Sequence, residues 1–110
     1  MKVKTSELSG RALDWAVWAT DKDPRTIQPR KGYMLNIPKF SSDWNKCGPL
    51  IEKEEIEFKW VSDATLEAHS YLHDPHYGLG LTHQEAACRL IVHAKLGDEV
   101  EIPDELMEVK

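Results

Sequence analysis

The segment from Thr82 to about Leu96 constrains the fold more than any other stretch of the chain. Thr82-His83-Gln84-Glu85 has the form of a capping box: the threonine hydroxyl accepts the backbone N–H of Glu85, and the glutamate carboxylate reaches back. Ala86, Ala87, Leu90, Ile91 and Ala94 recur at helical spacing and supply an apolar face. Lys95 falls in the last turn, and Gly97 can take the left-handed position that closes a helix. Start, stripe and stop agree on one amphipathic helix, which must bury its apolar face against other elements.

A chain of 110 residues can supply those elements within one domain, 1–110, without disulfides or metals. A first helix is predicted from a Ser9 cap to about Ala19. Ala12, Trp15, Ala16 and Ala19 lie on one face, and Leu13 and Val17 widen it. Asp23-Pro24 stops it. Residues 24–48 are rich in proline, glycine and lysine and read as irregular, with one short strand at 33–37. Cys47-Gly48-Pro49 reads as a helix start with proline at the first helical position. Glu52, Glu54 and Glu55 follow near that end, where negative charge is favoured. Ile56, Phe58 and Trp60 alternate with Glu57 and Lys59, predicting a half-buried strand over 56–61 with Trp60 facing inward. Residues 65–72 read either as a strand, with Leu66, Ala68, Ser70 and Leu72 on one face, or as a helix. The short Asp63-Ala64 connection favours the strand, paired with 56–61. Residues 73–78 read as a loop, and Gly78-Leu79-Gly80 as a turn before the Thr82 cap. Val100 and Ile102 alternate with Glu99 and Glu101, and Pro103–Leu106 suggests a last turn. The fold class expected is α+β: a small single domain with two main helices packed on a short antiparallel sheet.

Three blocks carry a family resemblance. The first is Lys4-Thr5-Ser6-Glu7-Leu8 with Leu13-Asp14-Trp15-Ala16-Val17. The second is Ser41-Ser42-Asp43-Trp44 with Gly48-Pro49-Leu50-Ile51-Glu52. The third is Lys95-Leu96-Gly97-Asp98-Glu99-Val100 with Ile102-Pro103. In order and approximate spacing they resemble the NinX-like family of small tailed-phage proteins over nearly the whole chain. The resemblance implies a phage or prophage origin and residence in the host cytoplasm, and it supplies no catalytic residues. The stretches 18–31 and 69–76 depart from the family pattern.

No apolar run approaches the roughly 20 residues of a membrane span. The N-terminus lacks the apolar stretch of a signal peptide. Cys47 and Cys88 therefore read as free thiols, Cys47 being the more reactive candidate beside a helix start and Cys88 a structural core residue. His69, His73 and His76, with Asp74, form one loose group; zinc sites usually need two local ligand pairs, so no metal or cofactor is expected. Gly78-Leu79-Gly80 lacks the third glycine and the lysine of a phosphate loop. The carboxylate runs at 52–57 and 98–108 read as solvated surface.

With no catalytic constellation legible, a non-enzymatic accessory protein acting by protein–protein binding is expected, with a host factor or anti-phage defence protein as candidate target. Trp18, near the end of the first helix, and Trp44 are the spare aromatics for such a surface, although the Asp43-Trp44 pair belongs to the family resemblance, which favours Trp44 as a plug of its loop onto the core. Arg25, Arg30, Lys31, His73, His76 and Tyr77 complete the candidate partner-binding set. Charge distribution supports an alternative. Residues 1–46 hold nine Lys or Arg against five Asp or Glu, and residues 47–110 hold five against fourteen. Arg11, Lys22, Arg25, Arg30, Lys31, Lys39 and Lys46 would then serve a nucleic-acid role. The competing explanation of the asymmetry is that the two halves neutralise each other within the fold. A metal-dependent enzyme built on His69–His76 ranks last.

Overall fold

Thr82 caps its helix as the sequence requires: its Oγ1 accepts the Glu85 N–H at 3.1 Å. The Glu85 carboxylate reaches back one residue further than the usual box, to the Leu81 N–H at 3.0 Å. The computed structural model describes residues 2–20 and 37–102. The expected strand at 33–37 therefore falls almost wholly outside the described residues, and the expected turn at 103–106 entirely so.

Among the described residues nine short elements run in order: β1 (Lys2–Lys4), a 3₁₀ turn (Thr5–Glu7), α1 (Gly10–Ala19), α2 (Trp44–Lys53), β2 (Glu57–Trp60), β3 (Leu66–His69), β4 (Tyr77–Gly80), α3 (His83–Leu96) and β5 (Glu99–Glu101). They form a small α+β domain with two antiparallel sheets, one in the order β2-β3-β4 and one pairing β1 with β5. α3 lies over β4 and β3, and α1 and α2 pack on α3. The core between them holds Leu8, Leu13, Trp15, Leu66, Leu90, Ile91 and Ile102. Every residue of the expected α1 stripe is buried, and so are Leu13, Asp14 and Val17.

Two glycines decide where α3 sits. A β-carbon at Gly78 would stand 2.3 Å from the Leu90 nitrogen and 2.4 Å from the Ala86 oxygen, and one at Gly80 would stand 2.7 Å from the Ala86 nitrogen. Only hydrogen at these positions lets the helix backbone rest on the strand backbone. Gly78-Leu79-Gly80 is thus a strand and not the expected turn, because it is the floor on which α3 packs.

Several boundaries differ from expectation for local reasons. α2 begins at Trp44, with Pro49 inside it, because Asp43 caps it by accepting the Asn45 N–H at 2.9 Å. It ends in a Schellman turn: Ile56 N–H donates to Ile51 C=O at 3.0 Å and Glu55 N–H to Glu52 C=O at 3.2 Å, with Glu55 at φ 52°. Among the described residues this short helix joins the two main ones. β3 stops at His69, short of 72, because the Ser70 hydroxyl donates to Glu54 C=O at 2.6 Å and accepts the Leu72 N–H at 3.1 Å, turning the chain. Leu72 is consequently exposed. Ser9 occupies the N-cap of α1 but its hydroxyl makes no capping bond. Gly97 closes α3 at φ 96°.

β1 was not foreseen. Lys2 pairs with Glu101, Val3 with Val100 and Lys4 with Glu99, so cationic and anionic side chains face one another across the ribbon. Thr5 locks the same junction: its N–H donates to Asp98 C=O at 2.7 Å and its hydroxyl to Gly97 C=O at 2.6 Å.

Candidate functional site

An aromatic cluster lies where two helix starts and one strand end converge. The Asp43 cap makes Trp44 the first residue of α2, and the Thr82 cap makes His83 the first residue of α3. β2 ends at Trp60. Phe58 and Trp60 stand opposite Ala68 and Leu66, on the sheet face that α3 covers. But the glycine floor draws α3 over β4 and β3, and β2 lies at the far edge of the sheet. The inner face of β2 is left uncovered there, and its aromatics close around His83 instead. The His83 ring centroid lies 4.8 Å from Phe58, 6.4 Å from Trp60 and 6.3 Å from Trp44. The Phe58 and Trp60 rings meet it edge-on, the favoured geometry for ring pairs. Trp44 remains 53% exposed and Trp60 60% exposed. Trp60 on the inner face does not mean Trp60 in the core, and Trp44 does not plug a loop. Val61, which follows β2, and Leu81, which follows β4, are also exposed.

The other predicted site residues scatter. Trp18 is partly buried and packs against the core. Lys22, Arg25, Arg30 and Lys31 lie outside the described residues; Arg11, Lys39 and Lys46 are exposed. His73 Nε2 meets Glu54 Oε1 at 2.6 Å, and Lys95 Nζ approaches the same carboxylate at 3.4 Å. Burial raises the Glu54 pKa, but the His73 hydrogen bond and the neighbouring Lys95 charge outweigh it and hold the group below its ordinary value. His76 Nδ1 meets His93 Nδ1 at 3.1 Å, and His93 Nε2 pairs with Asp98. His69 lies 3.5 Å from Glu67 and 3.8 Å from Glu57, on the open face of the sheet. The three histidines thus serve three separate partners. Among the described residues no group of three or more His, Cys, Asp or Glu side chains is placed to hold a metal ion.

Cys47 is not an accessible thiol. It faces Cys88 across the α2–α3 contact, and both are fully buried. A hydrogen bond between the two thiols lowers Cys47, while the same bond and burial push Cys88 well up. Among the described residues no helix is long and apolar enough to cross a membrane.

A concavity, about 710 Å³ in volume, opens on the other side of α3. Arg89 spans its floor: Nε donates to Leu8 C=O at 2.9 Å and Nη1 to Leu79 C=O at 2.8 Å. Tyr77, from the predicted set, stands on its wall.

Phe58, Trp60 and His83 were missed as surface residues. The signal present was the Phe58/Trp60 alternation on a strand with charged Glu57 and Lys59 between, which is equally the pattern of a covered strand. A comparison with family models matches residues 4–95 to the family described as Bacteriophage P22, NinX. A search of curated proteins finds no match.

Proposed function

Because the chain belongs to the bacteriophage P22 NinX family, we propose that it is a non-enzymatic phage accessory protein that works by binding another protein through the Trp44–Trp60–His83 surface. The observation that carries this reading is the exposure of two tryptophans, at 53% and 60%, each set against the same histidine. Exposed tryptophan is costly to leave in water and is the side chain most often found at the energetic centre of protein interfaces. Nothing in the fold requires these rings to be large: Leu66 and Ala68 behind them are already buried by α3. The partner is a host or phage protein in the host cytoplasm, and inhibition of a host factor or of a defence system is the role such a surface suits.

The test compares wild type with W44A/W60A as immobilised bait in host lysate, with thermal unfolding run on both. Truncating each tryptophan at an interface centre weakens binding by about 2 kcal/mol, roughly thirtyfold. At least one protein retained by wild type and lost from the equally stable variant supports the reading. Identical retention by both baits overturns it.

A further inference from the structure

The concavity floored by Arg89 is bounded by a strand edge whose hydrogen-bonding phase follows from its neighbours. Val61 N–H donates to Thr65 C=O at 2.9 Å, which fixes the alternation along the β2–β3 hairpin. Residues 65, 67 and 69 turn their backbone groups to β2, and Leu66 and Ala68 turn theirs to β4. Their partners in register are Gly80 and Gly78. Tyr77 and Leu79 therefore turn their N–H and C=O groups away from β3, to the unpaired side of the last strand. Two bonds confirm the phase independently: Leu79 C=O accepts from Arg89 Nη1 at 2.8 Å, and Leu81 N–H donates to Glu85 at 3.0 Å. Among the described residues, the Tyr77 N–H, the Tyr77 C=O and the Leu79 N–H are left without a partner.

Proteins usually protect such an edge with charge, proline or a bulge. The opposite edge, β2, follows that rule with Glu57 and Lys59. β4 reads Tyr-Gly-Leu-Gly and carries no charge. Its free side opens into the 710 Å³ concavity, whose remaining walls include Lys4, Ser6, Arg89 and His93.

We infer that the free edge of β4 takes an extended segment of a partner polypeptide as a fourth strand. In a parallel pairing one residue of the incoming strand donates its N–H to Tyr77 C=O and accepts from Leu79 N–H. That exchange uses two of the free groups and leaves the Arg89 bond to Leu79 C=O in place; an antiparallel residue opposite Tyr77 would use the Tyr77 N–H and C=O and spare the same carbonyl. The unpaired groups are backbone donors and acceptors at strand spacing, so the occupant is defined by its backbone. Its alternate side chains fall beside Tyr77 and Leu79, which are 52% and 39% exposed, and favour apolar residues there. The inference rests on the protein-binding reading and adds a second contact to it.

The experiment pans a display library of random twelve-residue peptides against the protein and measures backbone amide exchange in the complex. Enriched peptides binding with Kd on the order of 10 μM, slowing exchange of the Leu79 amide and binding at least tenfold more weakly to L79P, are expected. Because the Leu79 N–H faces away from β3, proline there deletes the donor without breaking the ladder, and Gly78 before it is already extended. If L79P does not fold, the Leu79 amide in wild type decides alone. Failure to enrich any peptide, or enriched peptides that leave that amide unchanged, overturns the inference. So does a concentration-dependent dimer that protects the same amide, since a second copy would then own the edge. W44A/W60A leaves β4 untouched, so loss of tryptophan-dependent capture and loss of edge binding are separately visible.

Discussion

Replacing Gly78 by alanine tests the contact that arranges the rest of the molecule. The added carbon would lie 2.3 Å from Leu90 N, 2.4 Å from Ala86 O and 2.9 Å from Leu90 Cα, all backbone atoms. Ordinary contact begins near 3.4 Å, so α3 must retreat from β4 by about 1 Å. A gap of that size forfeits a quarter to a half of the dispersion energy along the contact. It falls along Ala86 and Leu90, both fully buried. Overpacking of a rigid interface costs typically 1–3 kcal/mol, and here no flexible side chain can yield, so about 3 kcal/mol is expected. With a urea dependence near 1.5 kcal/mol/M, that lowers the unfolding midpoint by about 2 M. Gly48 provides the control. It lies in α2, and a β-carbon there meets nothing within 4 Å apart from its chain neighbours, so the helix propensity gained is offset by crowding against Pro49 and G48A should stay within about 1 kcal/mol of wild type. In urea titrations the midpoint of G78A should fall well below that of G48A. A loss below about 1 kcal/mol for G78A would refute the glycine floor and, with it, the explanation of why β2 lies uncovered.

Three further perturbations address the junctions around the sites. T5V removes the hydroxyl bonded to Gly97 C=O and should cost about 1–2 kcal/mol, a fall in Tm of several degrees; an unchanged Tm would deny Thr5 its role at the β1–β5 junction. Glu54 has a folded pKa below its ordinary 4.5, so its contribution is complete above that value and disappears as pH falls through the lowered one. E54Q should therefore be about 2 kcal/mol less stable than wild type at neutral pH, with the gap closing toward pH 3; a gap constant across that range would contradict the assignment. Cys47 and Cys88 are both fully buried, so Ellman's reagent should label the native protein on the order of a hundredfold more slowly than the urea-unfolded chain. Prompt labelling of either thiol would contradict the α2–α3 packing.

What could be read from the chain in advance was what short-range chemistry decides. α3 was legible end to end because its cap, stripe and stop are all within 16 residues of one another. The start of α2 was misread because Pro49 is a visible signal and the Asp43 cap an easily overlooked one; the cap acts on the first turn and prevails. The β1–β5 ribbon was missed because its strands lie at opposite ends of the chain. Yet Lys2-Val3-Lys4 and Glu99-Val100-Glu101 are charge complements, and that signal was present. The aromatic cluster was the least legible part. Alternation placed Phe58 and Trp60 on the covered side of the sheet correctly, but whether that side is covered depends on the lateral position of α3, which Gly78 and Gly80 set from two strands away.

The family blocks themselves turn out to meet in space. Thr5 of the first block bonds Gly97 and Asp98 of the third. Asp14 of the first accepts the backbone N–H of Ser41 of the second at 2.7 Å, burial raising its carboxyl pKa against that bond. These contacts tie the chain together at places sequence cannot connect by proximity, so the blocks that identify the family are largely the fasteners of its fold. Trp44 is the exception. It belongs to the second block, but its structural duty ends at standing next to the Asp43 cap, and a smaller residue could begin the helix as well. The ring is instead spent on a surface shared with Trp60 and His83, neither of which lies in any block. A side chain that the fold can do without, placed by a motif the fold depends on, gives this surface a fixed position. On that reasoning W44A should leave the unfolding midpoint within about 0.5 kcal/mol of wild type while weakening partner capture. A large stability loss would show that Trp44 is one more fastener, and would move the search for the binding surface to β4.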